Sequence, residues 1–354
     1  MIDRLPEDAA TLYAETLAVL LAREQVRDWS HLSGGFSFKA IKGTDYVYFQ
    51  YSDPGGVRRQ FCVGRRDANL DQLVAEYSAG REVRLHELDR VVRLSGLLRA
   101  AGVAMTPHGP ARVLRALSDA GVFAAGGVLM GSYAFLLLAN MLSLRWPGAT
   151  WRTQDVDVAA HVQIALPNVE ADIPSALDAL KMGFVPIPDF DPRNPSTSFH
   201  VRGGQLRVDV LTPGGDHDVK PIAIPRFRTA ASPIKWLSLA MHEAQPAVAI
   251  EGANTTLVMV PSPARYALHK LLVSQTRSVT QQTKSGKDLH QAALLLEALA
   301  EDRPEDLEIA AAAFAESGPA VAKKALRGLA AAIRRWPECA TARELLQPVL
   351  ESAS

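Results

Sequence analysis

Cysteine is scarce in this sequence: Cys62 and Cys339 are the only two in 354 residues, and they form no CxxC pair. That excludes a disulfide scaffold and a cysteine-zinc site, and it fits a reducing compartment. Net charge is absent as well, because 38 Lys and Arg balance 38 Asp and Glu. A protein held on nucleic acid by bulk charge alone is thereby excluded, which leaves room only for a local patch. There is no GxxxxGK[ST] and no GxGxxG, so P-loop and dinucleotide-binding folds lack support. His86-Glu87 and His242-Glu243 have no second histidine four residues on, which removes the zinc-protease reading. The most apolar stretch, Gly121 to Leu144, is long enough to span a bilayer, but Gly126, Gly127, Gly131 and Ser132-Tyr133 interrupt it. It reads as a buried strand, a turn and a helix, with no membrane partner. Met1 to Asp8 lacks a basic region followed by an apolar core, so no secretion signal is expected and the expected location is cytoplasmic.

What is present is the composition of a globular protein, 48% hydrophobic and 21% charged, with a length that suggests two or three domains at about 150 residues each. Residues 7–28 read as a helix on the spacing of Leu12, Leu17, Val19, Leu20 and Leu21. Aromatic and β-branched residues from Phe36 to Val63, around the turn Ser52-Asp53-Pro54-Gly55-Gly56, read as a hairpin or small meander. A long helix is expected over about 69–102. The middle alternates: helix at Ala111–Ala120, strand at Val122–Met130, helix at Tyr133–Leu144, then strands at Asp155–Val162, Ser198–Val201, Gln205–Leu211 and Thr256–Val260. From Pro261 the chain is helical, with Ser262 as a cap and Pro263 at the first helical position. That helix is expected to run to about Arg277, with Ser278–Gly286 as a break and a second helix from Lys287 to about Ala300. The domains expected are 1–108, a helical region with a hairpin at about 36–64; 109–262, an α/β core; and 263–354, a helical domain.

Three groups in the core could carry chemistry. Gly131 and Ser132 sit where an apolar strand changes to a helix, and unpaired N–H groups at a helix start suit phosphate. Asp155 and Asp157 are i and i+2 on a strand, so they share a side. Adjacent carboxylates repel unless a cation bridges them, which Mg²⁺ does with one or two carboxylates and phosphates; the alternative is a solvated strand face. In Leu206-Arg207-Val208-Asp209-Val210-Leu211 the alternation puts Asp209 on the polar face of a second strand. If that strand lies beside 155–158, three carboxylates converge, an arrangement suited to two-metal phosphoryl transfer.

This sequence of features resembles the DNA polymerase β-type nucleotidyltransferase superfamily. The wider run, Gly127 to Phe135 and Thr153 to Ala159, is similar to a bacterial nucleotidyltransferase-fold family once grouped as a domain of unknown function. The stretch 133–154 between Ser132 and Asp155 is longer than the superfamily's usual spacing, and Arg145 to Thr150 could form an inserted loop. The resemblance implies an α+β fold: a polymerase β-type core, with a mixed sheet flanked by helices, between an N-terminal helix and hairpin region and a C-terminal helical domain. It also implies transfer of a nucleoside monophosphate from an NTP to a hydroxyl acceptor (RNA or tRNA, a protein, or a small molecule) with Mg²⁺ or Mn²⁺ as cofactor. Asp155 and Asp157 would then be metal ligands and Asp209 a ligand and base, all three catalytic, while Gly131 and Ser132 hold phosphates.

Downstream, Lys270 and Arg277 are two helical turns apart and share a face on an uninterrupted helix. With Lys287 and Asp288 they resemble the helical half of the AbiEii-type toxins, which implies a nucleotide-binding role and, as a further partner, a cognate antitoxin. His269 and His290 read as packing or surface histidines. In the hairpin, Arg58, Arg59, Arg65 and Arg66 accompany Tyr46, Tyr48, Phe49 and Tyr51, residue types that stack on bases and grip phosphates. An alternative to the enzyme is therefore a catalytically inactive adaptor that binds nucleic acid through this hairpin.

Overall fold

The structure is a computed structural model that describes residues 2–25, 34–52, 57–147, 155–160, 172–189, 191–215, 220–277 and 282–352, with the backbone alone described at 84 and 155–160. The chain begins with β1 (Asp3–Arg4), α1 (Glu7–Gln25), β2 (Gly34–Ile41), β3 (Thr44–Ser52), β4 (Arg58–Arg65) and α2 (Ala68–Ala100). The central part holds α3 (His108–Asp119), β5 (Gly127–Met130), α4 (Gly131–Met141), β6 (Leu144–Arg145), β7 (Asp155–Ala160), α5 (Ile173–Ala179), β8 (Phe184–Pro186), β9 (Ser198–Val201) and β10 (Arg207–Gly214). It continues with β11 (Ile222–Ile224), β12 (Thr229–Lys235), α6 (Leu237–Met241), β13 (Gln245–Glu251) and β14 (Asn254–Val260). The last part is helical: α7 (Pro263–Ser274), α8 (Gln282–Asp302), α9 (Pro304–Glu316), α10 (Pro319–Arg335) and α11 (Ala342–Glu351).

The fold is α+β, with a mixed seven-stranded sheet flanked by helices. Its spine runs β11-β12-β10-β7-β5; β9 pairs with the first half of β10, and β12 takes over at Leu211. β7 and β10 are parallel, whereas β5 runs antiparallel to β7. Alternation along β10 buries Val208 and Val210 in the main core and leaves Arg207 and Asp209 on the opposite face. On that second face α6 supplies Leu237, Ala240 and Met241 against Val128 and Met130.

α4 explains the most apolar stretch of the sequence. Every residue from Tyr133 to Asn140 is buried, so the helix is apolar all round and lies inside the protein. Among the described residues no helix is long and apolar enough to cross a membrane. The strand expected at Val122–Met130 is shorter than its sequence suggests. Gly121 and Gly126 both take positive φ, and Ala125 N–H donates to Gly121 O, so residues up to Gly126 form turns and only Gly127–Met130 extends. α4 ends at Met141 because Ser143 has φ 55°, after which Leu144–Arg145 pairs with β1. The turn at 53–56, the end of the strand expected to run to Val162, and residues 148–150 of the expected insertion lie outside the described residues.

The N-terminal meander packs its aromatic face on α2: Phe36 and Phe49 meet Tyr77 edge-on at 5.1 and 5.6 Å, and Tyr77 donates to Gly34 O at 2.8 Å. α2 starts as expected, with the Asp67 side chain accepting from Leu70 N–H. α1 docks on β13, where Tyr13 OH accepts from Val248 N–H.

The helical end depends on one close approach. A Cβ on Gly328 of α10 would lie 2.6 Å from Leu271 O and 2.8 Å from Leu271 Cβ of α7. Gly328→Ala is expected to destabilise the protein by about 1–3 kcal/mol, because neither backbone can yield without moving a packed helix. Urea unfolding checks this, and an unchanged midpoint would refute it.

Candidate active site

β5 leads straight into α4. Gly131 holds φ +69°, the left-handed region that glycine tolerates, and no side chain caps the helix start. The first turn of α4, with the half-buried Ser132, thus starts without a side-chain cap beside the sheet. Tyr266 of α7 fixes this turn by donating to Gly131 O at 2.8 Å, with Gln291 of α8 3.3 Å from its hydroxyl.

Strand register brings the acidic positions together. Asp157 is paired with Met130 on one side and Asp209 on the other, and Asp155 is paired with Arg207. Adjacent strands lie about 4.8 Å apart, and paired positions share a face. Positions 155, 157, 207 and 209 therefore cluster on the face next to the Gly131 turn. The Asp209 carboxylate accepts from Arg207 Nε at 2.6 Å and from Ser198 Oγ at 2.5 Å, while Arg207 also donates to Ser198 Oγ at 3.1 Å. Sequence alternation located Asp209 but gave Arg207 no role. Its spacing of two from Asp209 was the available signal, whereas Ser198 comes from another strand and left none.

The cationic pair meets at a carboxylate. Lys270 Nζ and Arg277 Nε each lie 2.7 Å from an oxygen of Asp288, whose side chain is 4% exposed. Burial pushes the Asp288 carboxyl up, but the two cations outweigh it and hold it below its ordinary value. Lys270 and Arg277 thus share one carboxylate. The Lys270 ammonium also lies 5.2 Å from the centre of the Tyr266 ring, which links the cluster to the Gly131 turn.

The helix expected to carry both cations stops early. α7 ends at Ser274, where Gln275 and Thr276 N–H tighten onto Leu272 and Val273 oxygens, so Arg277 reaches Asp288 from the following turn. α8 in turn begins at Gln282, earlier than the expected Lys287, and Lys287 lies half-buried in it beside Asp288. Ser262 caps α7 by accepting from Arg265 N–H. His269 is buried beside the charged cluster: burial, then the Lys270 charge, bring its imidazole down to about 3 and keep it neutral. His290 stacks on Trp336 at 4.7 Å.

The hairpin arginines do not form one patch. Register puts Arg58 and Arg65 at positions sharing a face with Tyr46 and Tyr48, and Arg59 at the opposite face with Tyr51. Arg66 pairs with Asp71 at 2.8 Å and lies over the Phe38 ring. Phe49 is 3% exposed and belongs to the packed face.

A mixed sheet with clustered acidic positions, a helix start without a side-chain cap and a cationic pair on the helical side is a constellation suited to phosphoryl transfer. A family profile described as Nucleotidyltransferase matches residues 108–316, more than half of the chain, and the protein belongs to that family. The match spans α3 to α9 and contains all the candidate residues except the hairpin arginines. Nucleotidyl transfer is thus its general activity. No curated protein matches the sequence. Among solved structures, a crystal structure of an antigenic nucleotidyltransferase-like protein from Paracoccidioides brasiliensis is similar at 14% identity, with a TM-score of 0.34, over 65% of this chain and 93% of that one.

Proposed function

We propose that the protein moves a nucleoside monophosphate from an NTP to a hydroxyl acceptor and releases pyrophosphate. The observation that carries this reading is the register Met130–Asp157–Asp209, with the uncapped turn of Gly131 one residue further on. Carboxylates at 155, 157 and 209 are the donor set a hard divalent cation takes, so Asp155 and Asp157 would hold Mg²⁺ or Mn²⁺, with Asp209 as a further ligand. When bound, the metal neutralises phosphate charge and favours the ionised form of the acceptor hydroxyl. The chain's own groups do the rest. N–H groups at Gly131 and Ser132 receive the β- and γ-phosphates. Asp209 takes the proton of the acceptor hydroxyl, with Arg207 and Ser198 fixing its carboxylate. Lys270 and Arg277, oriented by Asp288, offset triphosphate charge across the cleft. Lys287 stands beside them on α8 as a further phosphate contact.

The likeness of the segment 270–288 to AbiEii-type toxins supports a toxin as the biological setting, with RNA or protein as acceptor and a cognate antitoxin as partner. A labelling assay tests the whole reading. Protein, Mg²⁺ and each α-³²P-labelled NTP are incubated with bacterial lysate. The expected result is label on one class of acceptor, absent without the metal. No label with any nucleotide, together with no Mg²⁺-dependent NTP binding, would overturn it in favour of an adaptor working through Arg58 and Arg65.

A further inference from the structure

A cavity lies at the opposite end of β5 from the Gly131 turn. It has a volume of about 790 Å³ and opens between β5, α6, β14, α7 and α9. Phe123, Val128, Met241 and Met259 form an apolar wall, and Ala313 of α9 closes one side. Into this wall α7 places Arg265, whose side chain is 6% exposed. A buried guanidinium is costly unless its fork is filled. Arg265 has five N–H groups, and those at Nε and one terminal nitrogen both fall on a single oxygen of Glu243, at 3.0 and 2.9 Å. A third reaches Leu239 O at a long 3.4 Å. Glu243 itself is 57% exposed and stands on a turn with φ 58°, so the partner that neutralises Arg265 is a surface residue held by a short loop.

From this we infer that the cavity is a binding site for a small organic carboxylate with an apolar body, its carboxylate taking the Arg265 fork in place of Glu243. The volume lies within the range of small-molecule sites; Arg265 is the buried charge among the lining residues, while His242, Glu243 and Glu316 line the cavity as exposed residues, so the guanidinium gives orientation and selectivity. A planar carboxylate matches the guanidinium fork with two parallel bonds, where Glu243 offers one oxygen. The apolar wall takes the body of the ligand, and Glu243 swings into water at little cost because it is already half solvated. The inference rests on Arg265 and its cavity and does not depend on the proposed nucleotide site, whose residues do not line the cavity.

Decanoate is the probe, with decanol and decyltrimethylammonium as neutral and cationic controls, all titrated calorimetrically below micelle formation. Decanoate is expected to bind, and the controls at least about tenfold more weakly, the loss expected when a charge-assisted pair is removed. Arg265→Gln is expected to abolish the preference for decanoate over decanol. Glu243→Gln removes the competing charge but keeps an amide oxygen that can accept from Arg265, so the guanidinium is not left bare, and the variant, checked as folded by circular dichroism, should bind decanoate about threefold or more tighter than the natural protein. Equal binding of decanoate and decanol would overturn the carboxylate assignment. An unchanged or weaker affinity in Glu243→Gln would overturn the exchange at Arg265. Displacement of decanoate by Mg²⁺–ATP would overturn the separateness of the site.

Discussion

Asp157→Asn is expected to lower nucleotidyl transfer by at least about 10³-fold, the scale seen when one electrostatic element of a preorganised site is deleted. Position 157 is the crossing point of the site: it faces Asp209 on one neighbouring strand and Met130, the last residue before the helix turn, on the other. Asparagine keeps the shape and removes the charge, so the change falls on metal and phosphate binding rather than on packing. Stability should move the other way. Clustered carboxylates without a cation repel one another. In metal-free buffer the variant is expected to melt no lower than the natural protein. Mg²⁺ is expected to raise the melting temperature of the natural protein and to leave that of the variant nearly unchanged, since ligand binding stabilises only the state that binds. Label transfer and differential scanning calorimetry with and without Mg²⁺ read both effects. A variant that kept a tenth of the activity, or responded to Mg²⁺ like the natural protein, would remove position 157 from the site.

The local pieces of this site were legible because each obeys a short-range rule. Leu206 to Leu211 alternates with period two, and β10 buries Val208 and Val210 and turns Asp209 to the other face as that period requires. Ser262-Pro263 is a helix start on local grounds alone, and α7 begins there. The sequence alternation gave Asp209 a face and left its neighbour open, whereas the structure supplies a parallel partner at Asp157. Pairings made by folding left no trace in sequence. Tyr266 on Gly131, Ser198 on Asp209 and Arg265 in its cavity join residues far apart in the chain. Arg277 shows the opposite failure: a helical period placed it correctly beside Lys270, but the helix that the period assumes ends three residues before it. Arg58 and Arg59 are neighbours in sequence and therefore fall on opposite faces of a strand, so register spreads the hairpin arginines over both sides of the meander.

Asp288→Asn is expected to cost about 3–5 kcal/mol at neutral pH, the range for breaking a buried ion pair by removing one partner. Lys270 and Arg277 both bond to this carboxylate, and the Lys270 side chain is 13% exposed, so the substitution leaves a largely buried cation facing a neutral amide. The pH dependence identifies the mechanism. The folded Asp288 carboxyl sits below the ordinary 3.8 because the two cations hold it there against burial. Its contribution is therefore fully present above about pH 4 and is lost as pH falls through the folded value, where the natural protein must take up a proton that the unfolded chain has already bound. The stability gap between natural protein and variant should be constant from pH 7 to about pH 5 and should narrow below pH 4. His269 gives a different window. With its imidazole lowered from 6.5 to about 3, the unfolded chain binds a proton that the folded chain does not, so stability falls with pH between those values whether or not Asp288 is present. Urea unfolding of both proteins from pH 3 to 7 separates the two: a shared slope from pH 6.5 downward belongs to the histidines lowered by burial, His269 and to a lesser degree His290, and the closing gap below pH 4 belongs to Asp288. A gap that stayed constant down to pH 3 would mean that the folded Asp288 carboxyl is not held below its ordinary value, and that Lys270 and Arg277 do not act on it through their charge.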